Sequence, residues 1–132
     1  MFLTELSEIE KRAFASLSYH AAMANGILAV EESKLIEEYC KEMNIHYFSF
    51  DSADDLKDIE KVFISSTDRI KKIVVFELFG VMYSDGKFDL DEDVFIRNFS
   101  KEIGIETETI EAIKKMIDDY YHLVEIINSS LM

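Results

Sequence analysis

The 132-residue chain has the length of one domain and a globular composition, with 48% hydrophobic and 31% charged residues. Its formal net charge of -13 disfavours binding to nucleic acid and to anionic lipid, and it favours cations and basic protein partners. The chain has no proline and only four glycines, which favours long helices over a sheet rich in turns. We therefore expect one all-α domain over residues 1-132.

Three features of the sequence predict a soluble, cytoplasmic protein. The only cysteine, Cys40, cannot form an internal disulfide bond. The N-terminus lacks the basic segment of a signal peptide. The longest nearly apolar run, Ile73 to Tyr83, is about half the length that a membrane span needs. Direct insertion into a membrane is not expected.

Apolar or small residues recur at helical spacing in the first half of the chain. The first helix lies within residues 2–24 and ends at Asn25-Gly26, a pair that tolerates positive φ. The second runs from about residue 30 to 43. A loop with His46, Tyr47, Phe48 and Phe50 follows, and these aromatic side chains are predicted to plug the core or to form a partner-binding patch. A short helix then covers residues 54–64.

The central helix, Asp68 to Ser84, is apolar on every side, which predicts a position in the middle of the fold. Small residues of the first helix should form a groove that Phe76, Phe79 and Met82 fill. The next helix spans Asp89 to Ile103 and ends at Gly104. A last helix, capped by Thr107, runs to about residue 128 with these residues on one side: Ile110, Ile113, Ile117, Tyr120, Tyr121, Val124 and Ile127.

The chain contains an internal repeat. Residues 21–45 align without a gap with residues 81–105, and the matched pairs include Gly26 with Gly86, Glu32 with Glu92, and Ile36 with Ile96. Asn25 stands opposite Asp85. Each half, about 5-45 and 68-105, is therefore predicted to form a long helix, a turn and an amphipathic helix. With the C-terminal helix, about 107-128, this predicts a compact bundle of six to seven helices with pseudo-twofold symmetry.

The two turns carry a motif. From Met82 to Glu92 the chain reads Ser-Asp-Gly, an apolar residue two positions after the glycine, and glutamate six positions after it. From Ala22 to Glu32 the same pattern recurs with Asn25 in place of aspartate. Two such copies resemble the TerB-like tellurite-resistance family, which includes the N-terminal domain of membrane-anchored DnaJ-like proteins. The likeness spans residues of about 5–125. It implies an all-helical domain without known catalysis, associated with stress responses and with metal binding through the acidic positions.

The second turn is rich in carboxylates, with five in nine residues: Asp85, Asp89, Asp91, Glu92 and Asp93. Asp89 and Glu92 fit a capping box, and a helix N-terminus favours the other acids of the first turn. Asp85 differs because it lies at the negative end of the central helix. An Asx turn or a bound cation would explain it.

A cation site at this turn would not be an EF-hand, because Val81 and Tyr83 would have to supply its first and third ligands. The residues instead fit an open, weak site for Ca²⁺ or Mg²⁺ made by Asp85, Asp89 and Glu92. Asn25 and Glu32 form a second, weaker candidate site. No cofactor beyond these ions is expected.

Glu77 interrupts the apolar central helix, and burial of an unpaired carboxylate is costly. We expect it to pair with His20, Lys72 or a tyrosine hydroxyl, or to face a wet crevice. Asp119 and His122 have the i, i+3 spacing of di-iron bundles, although only one copy is present. A small carboxylate metalloenzyme using Glu77, Asp119 and His122 is therefore the alternative function.

The sequence thus predicts a non-catalytic, acidic helical module that binds a protein partner. Ion binding at Asp85, Asp89 and Glu92 would fix the angle between the central helix and the next one, so that the module senses a divalent cation. A purely structural homodimer is a further alternative.

Overall fold

The computed structural model describes residues 1–46, 48, 53–84 and 89–132. Across these residues the chain forms a 3-10 turn, Leu3–Glu5, and six α-helices, without a strand. The helices are α1 (Glu8–Ala22), α2 (Val30–Glu42), α3 (Leu56–Ile64), α4 (Asp68–Tyr83), α5 (Leu90–Glu102) and α6 (Thr107–Ser130). The prediction of an all-α helical bundle is confirmed.

Helix α4 lies at the centre and packs against each of the other five helices. Phe79 and Met82 are fully buried, as predicted. Phe76 was predicted to fill the same groove, but it is only half-buried and packs edge-on against Phe2, with ring centroids 6.1 Å apart. The N-terminal segment therefore covers part of the central helix.

The helix starts follow local hydrogen bonding. The Ser7 side chain accepts from the Glu10 amide, and the Glu10 carboxylate accepts from the Ser7 amide, which forms a capping box at α1. Thr67 caps α4 by accepting from the Ile70 amide. Helix α6 has Glu106 at its N-cap position, so that Thr107 is its first residue and the predicted cap was one residue too late.

Helices α2 and α5, which align in the sequence, have the same form. Both contain 13 residues. Each is followed by one C-cap residue and then by a residue with positive φ, Asn44 at +57° and Gly104 at +95°. In each case the next amide turns back to a helix carbonyl, with Ile45 bonded to Cys40 at 2.8 Å and Ile105 to Ser100 at 3.0 Å. The two aligned segments thus fold alike from the helix start to the residue after the turn.

Helix α6 is buried only along its first half. Its buried residues are Ile110, Ile113 and Ile117, although the helix has 24 residues and α4 has 16. At 1.5 Å per residue it is about 36 Å long, so its second half extends past the core. Tyr120 and Ile127 continue the apolar spacing but are exposed. The prediction of a helix here is confirmed, but only the first half of the predicted apolar side is buried in the core.

The loop aromatics are partly described. Phe48 is half-buried and stacks on Tyr19, with ring centroids 5.8 Å apart, which agrees with a plug of the core. His46 is exposed. Tyr47 and Phe50 lie outside the described residues.

Candidate functional site

The acidic turn is described from Asp89 onward, and Asp85 lies outside the described residues. Asp89 is the N-cap of α5, where its Oδ1 accepts from the Glu92 amide at 2.9 Å. This backbone hydrogen bond, followed by one from Asn25, lowers the pKa of the Asp89 carboxyl. Asp89 is therefore ionised and engaged with the helix terminus.

Asn25 joins the first turn to the second. Its Oδ1 accepts from the Ile27 amide at 2.9 Å, as in an Asx turn. Its Nδ2 donates to Asp89 Oδ2 at 2.6 Å. The sequence assigned Asn25 and Asp89 to two separate candidate sites, whereas the structure bonds them to each other. Both carboxylate oxygens of Asp89 consequently accept a hydrogen bond.

Glu32 and Glu92 occupy equivalent positions in α2 and α5, and both are buried. Glu32 is 1% exposed, and its Oε1 accepts from the Ala29 amide at 3.1 Å. Its Oε2 has no hydrogen-bond partner within the described part of the chain. No group of three acidic, histidine or cysteine side chains suited to a metal is present among residues 1–46, 48, 53–84 and 89–132. The predicted cation site thus depends on Asp85.

Glu77 meets a cation that was not among its predicted partners. The α-amino group of Met1 donates to Glu77 Oε1 at 3.0 Å and to Glu42 Oε1 at 2.9 Å. The second oxygen of Glu42 accepts from the Leu3 amide at 2.8 Å. The predicted partner His20 instead contacts the carbonyl of Asp54. Two carboxylates therefore hold the N-terminal segment on the bundle.

A tyrosine hydroxyl also lies near Glu77, but it bonds to the backbone. Tyr39 Oη donates to the Glu77 carbonyl oxygen at 2.7 Å. Burial raises the pKa of the Glu77 carboxyl, and the Met1 ammonium opposes this effect. Burial opposes the charged form of the Met1 amine, yet its hydrogen bonds to Glu42 and Glu77 give a net rise in its pKa. The three groups form one coupled ionic cluster.

A cavity of about 500 Å³ opens beside this cluster. Its wall includes Glu77 and Glu42 together with four aromatic side chains, those of Tyr39, Phe76, Tyr120 and Tyr121. Such a combination of carboxylates and rings suits a ligand that carries a positive charge.

The residues of the metalloenzyme alternative have separate surroundings. Glu77 is buried against Met1. Asp119 is exposed and forms an ion pair with Lys115 at 2.9 Å, one turn away on α6. His122 is exposed on the same helix. The described residues do not assemble these three side chains into one metal site.

An exposed apolar face runs along the second half of α6. We define the α6 face as Met116, Tyr120, Leu123 and Ile127, whose spacing of four, three and four residues places them on one side of the helix. All four are exposed, and Leu123 is 54% accessible. A groove of about 680 Å³ between α4 and α6 leads to this face and shares Met116 and Tyr120 with it. A contiguous apolar surface of this kind is typical of an interaction site.

Sequence reasoning missed the Met1 amine and the exposure of the α6 face. The signal for the face was length, because the predicted last helix, about residues 107–128, is longer than the predicted central helix, Asp68 to Ser84. None of the helices in the described residues is both long enough and apolar enough to cross a membrane. Comparison with models of protein families, with curated proteins and with solved structures found no match to this chain.

Proposed function

We propose that the protein is a non-catalytic interaction module that binds a basic helix of a partner protein along the α6 face. The observation that carries the proposal is the exposure of four large apolar side chains on one side of a helix that extends past its own core. Leaving such a stripe in water forgoes the free energy that burial would supply, about 1.5–3 kcal/mol for each large side chain. A helix laid along the stripe would recover it.

The charge of this region determines the kind of partner. Residues 116–132 contain Asp118, Asp119 and Glu125 and no lysine or arginine, whereas Arg69, which is paired with Glu5, and Lys72 line the adjoining groove. Lys114 and Lys115 form ion pairs with Asp118 and Asp119, but the whole chain carries a net charge of -13. A second copy of the chain would bring an equal negative charge, whereas lysine or arginine beside the apolar residues of a partner would be attracted.

A synthetic amphipathic helix of leucine and lysine tests the proposal by isothermal titration. The variant Leu123→Asp should weaken binding by roughly 10–100-fold, the equivalent of losing one buried leucine. Asn128→Asp is the matched control, because it adds the same charge at an exposed position of the same helix outside the α6 face. This control should bind at least as tightly as the unaltered protein.

Equal affinity of both variants would show that the peptide responds only to net charge and would overturn the proposal. Sedimentation of the protein alone gives a second readout. Concentration-dependent dimers that Leu123→Asp abolishes would replace the basic partner with a second copy of the chain.

The TerB-like organisation in two repeated units is part of the proposal. The equal lengths and common endings of α2 and α5 support it, as does the bond between Asn25 and Asp89. The cytoplasmic location and the role in a tellurite-resistance-like stress response rest on the sequence motif alone.

Control of the module by Ca²⁺ or Mg²⁺ is a second proposal. The bond between Asn25 and Asp89 joins the two turns, so that an ion that competes with Asn25 for the Asp89 carboxylate would act on both repeats. Calorimetric titration with each ion should give heat that Asp85→Ala abolishes and Asp91→Asn, the control, retains. Absence of heat at millimolar ion would end this proposal.

A further inference from the structure

The groove between α4 and α6 carries positive charge in an acidic protein. The chain has 27 acidic and 14 basic residues. Within the described part of the chain, no aspartate or glutamate lines this groove, whereas Arg69 and Lys72 do. Three other cavities each have at least one carboxylate in the wall, from Glu42 and Glu77, from Asp54 and Asp58, and from Glu37. Among these four cavities, the groove is therefore the one that attracts an anion.

The two bases of the groove lie on one side of α4. Arg69, Lys72, Ile73 and Phe76 follow one another at spacings of three, one and three residues, which places them along one stripe of the helix. From Arg69 to Phe76 this stripe rises about 10 Å. The groove thus begins at charged side chains and continues along apolar ones.

The apolar part of the groove has a buried bottom and an exposed edge. Ile73 and Ile113 are buried, whereas Met116 and Tyr120 are exposed. The N-terminal segment also borders the groove, but the charged side chains and most of the apolar ones belong to α4 and α6. The volume of about 680 Å³ is that of a site for a small ligand. An apolar chain laid in it would be removed from water on several sides.

The two bases differ in what they already bind. Arg69 donates to both carboxylate oxygens of Glu5, at 2.7 and 2.8 Å. Lys72 is exposed and makes no ion pair or hydrogen bond with any other residue that the structure describes. A carboxylate at the groove would therefore meet one cation that is not yet neutralised, and an ammonium group donates charge-assisted hydrogen bonds to such a partner.

We propose that the groove binds a monocarboxylate with an unbranched aliphatic chain, whose carboxylate accepts from Lys72 and whose chain lies between α4 and α6. One carboxylate matches the one unpaired base, and a chain without polar atoms matches the apolar wall. An acidic helix would instead bring several carboxylates to a protein with a net charge of -13 and would be repelled. This inference does not rest on the proposed docking of a basic helix, although Met116 and Tyr120 border both surfaces.

Decanoate below its micelle concentration is the probe, and isothermal titration measures its binding. We expect saturable binding at one site per chain. Lys72→Gln should weaken it by about tenfold, the equivalent of one hydrogen bond to a charged group. Lys34→Gln is the matched control, because Lys34 is also an exposed lysine and its replacement changes the net charge equally. This control should bind decanoate as the unaltered protein does.

Three results would overturn the proposal. The first is the absence of saturable binding to the unaltered protein. The second is an equal loss of affinity in Lys34→Gln, which would indicate a response to net charge alone. The third concerns decan-1-ol, which has the same chain without a charge and whose affinity Lys72→Gln should leave unchanged. An equal loss for the alcohol would show that Lys72 acts through its apolar stem.

A further variant separates this groove from the α6 face. Leu123→Asp should weaken the binding of decanoate by less than about threefold, because Leu123 does not line the groove and the added charge is screened by solvent. The same variant should lose the basic helix, so that failure of one proposal is distinguishable from failure of the other. A loss of decanoate binding as large as that of Lys72→Gln would place the ligand on the α6 face and overturn the inference. A leucine–glutamate helix that binds through Lys72 where decanoate does not bind would replace the aliphatic acid with an acidic helix.

Discussion

A methyl group at Gly80 gives a sharp test of how α2 packs on α4. A Cβ atom at this position would lie 2.9 Å from the Tyr39 hydroxyl oxygen, which is closer than van der Waals contact allows. Tyr39 is buried, and its hydroxyl donates to the Glu77 carbonyl at 2.7 Å. Gly80→Ala must therefore displace the hydroxyl or shift the helix.

Two opposing effects set the magnitude. Alanine is better than glycine inside a helix by about 1 kcal/mol. A displaced, buried hydroxyl costs about 1–3 kcal/mol, and overpacking adds a similar amount. Gly80→Ala should therefore lower the free energy of unfolding by about 1–5 kcal/mol. In a Tyr39→Phe background the hydroxyl is gone, and the same substitution should raise that free energy by about 1 kcal/mol.

The double-mutant cycle consists of the unaltered protein, the two single variants and the double variant. Urea unfolding of these four proteins measures whether the effect of Gly80→Ala on the free energy of unfolding changes sign. Tyr121→Phe serves as the control background, because the Tyr121 hydroxyl lies at an ordinary contact distance of 3.8 Å from the same Cβ position. There Gly80→Ala should remain destabilising. If the effects of Gly80→Ala and Tyr39→Phe on the free energy of unfolding add within about 0.5 kcal/mol, the contact between Tyr39 and residue 80 is refuted.

Changes at the α5 cap, in the core and at the N-terminal amine have separate expected outcomes. Asp89→Ala should lower the free energy of unfolding by about 1 kcal/mol in urea, and Asp89→Asn by less because it keeps an acceptor for the Glu92 amide; equal losses would contradict the cap. Phe63→Ala should lower it by about 3–5 kcal/mol because Phe63 is fully buried against Phe99, and a loss below about 1 kcal/mol would contradict that position. The pKa of the Met1 amine is raised on folding, despite burial, by its hydrogen bonds to Glu42 and Glu77. Its stabilising contribution is therefore complete below about pH 8 and is lost as the pH rises through the folded pKa. Thermal melts should show a shallower alkaline decline in Glu77→Gln, and identical pH profiles would refute the pairing.

The helices could be predicted because their signals are local. Ser7 with Glu10, Thr67 and Asp89 mark helix starts through side chains that reach amides three residues ahead. Gly104 marks an end through its positive φ. Hydrogen bonds of this range depend on a few neighbouring residues, and the sequence lists those residues directly.

The partners of charged and apolar side chains were harder to predict because they depend on distant residues. Glu77 pairs with a group 76 positions away, and that group belongs to the backbone terminus rather than to a side chain. Ile9 fits the apolar spacing of α1 and yet is exposed. Periodicity shows which residues share a side of a helix, but it does not show whether another element covers that side.

The candidate cation site was the least accessible to prediction. The sequence placed Asn25 and Asp89 in different sites, since it gives no measure of the distance between the two turns. Their hydrogen bond is a property of how α1 and α5 pack together. Asp85, on which the cation hypothesis depends, lies outside the described residues, and its role stays a prediction.

The end of burial at Ile117 divides α6 into two thermodynamic parts. Backbone amides before this residue can exchange hydrogen with solvent only when the core opens, so their exchange should follow global unfolding. Tyr121 still stacks on Tyr83 of α4 and Val124 is half-buried, but all residues after Val124 are exposed. Amides after Val124 are therefore protected by their own helix turns alone, and fraying from the C-terminal end exposes no buried side chain. One continuous helix should therefore show slow exchange in its first half and fast exchange in its second, and anything that covers the second half would slow its exchange toward that of the first.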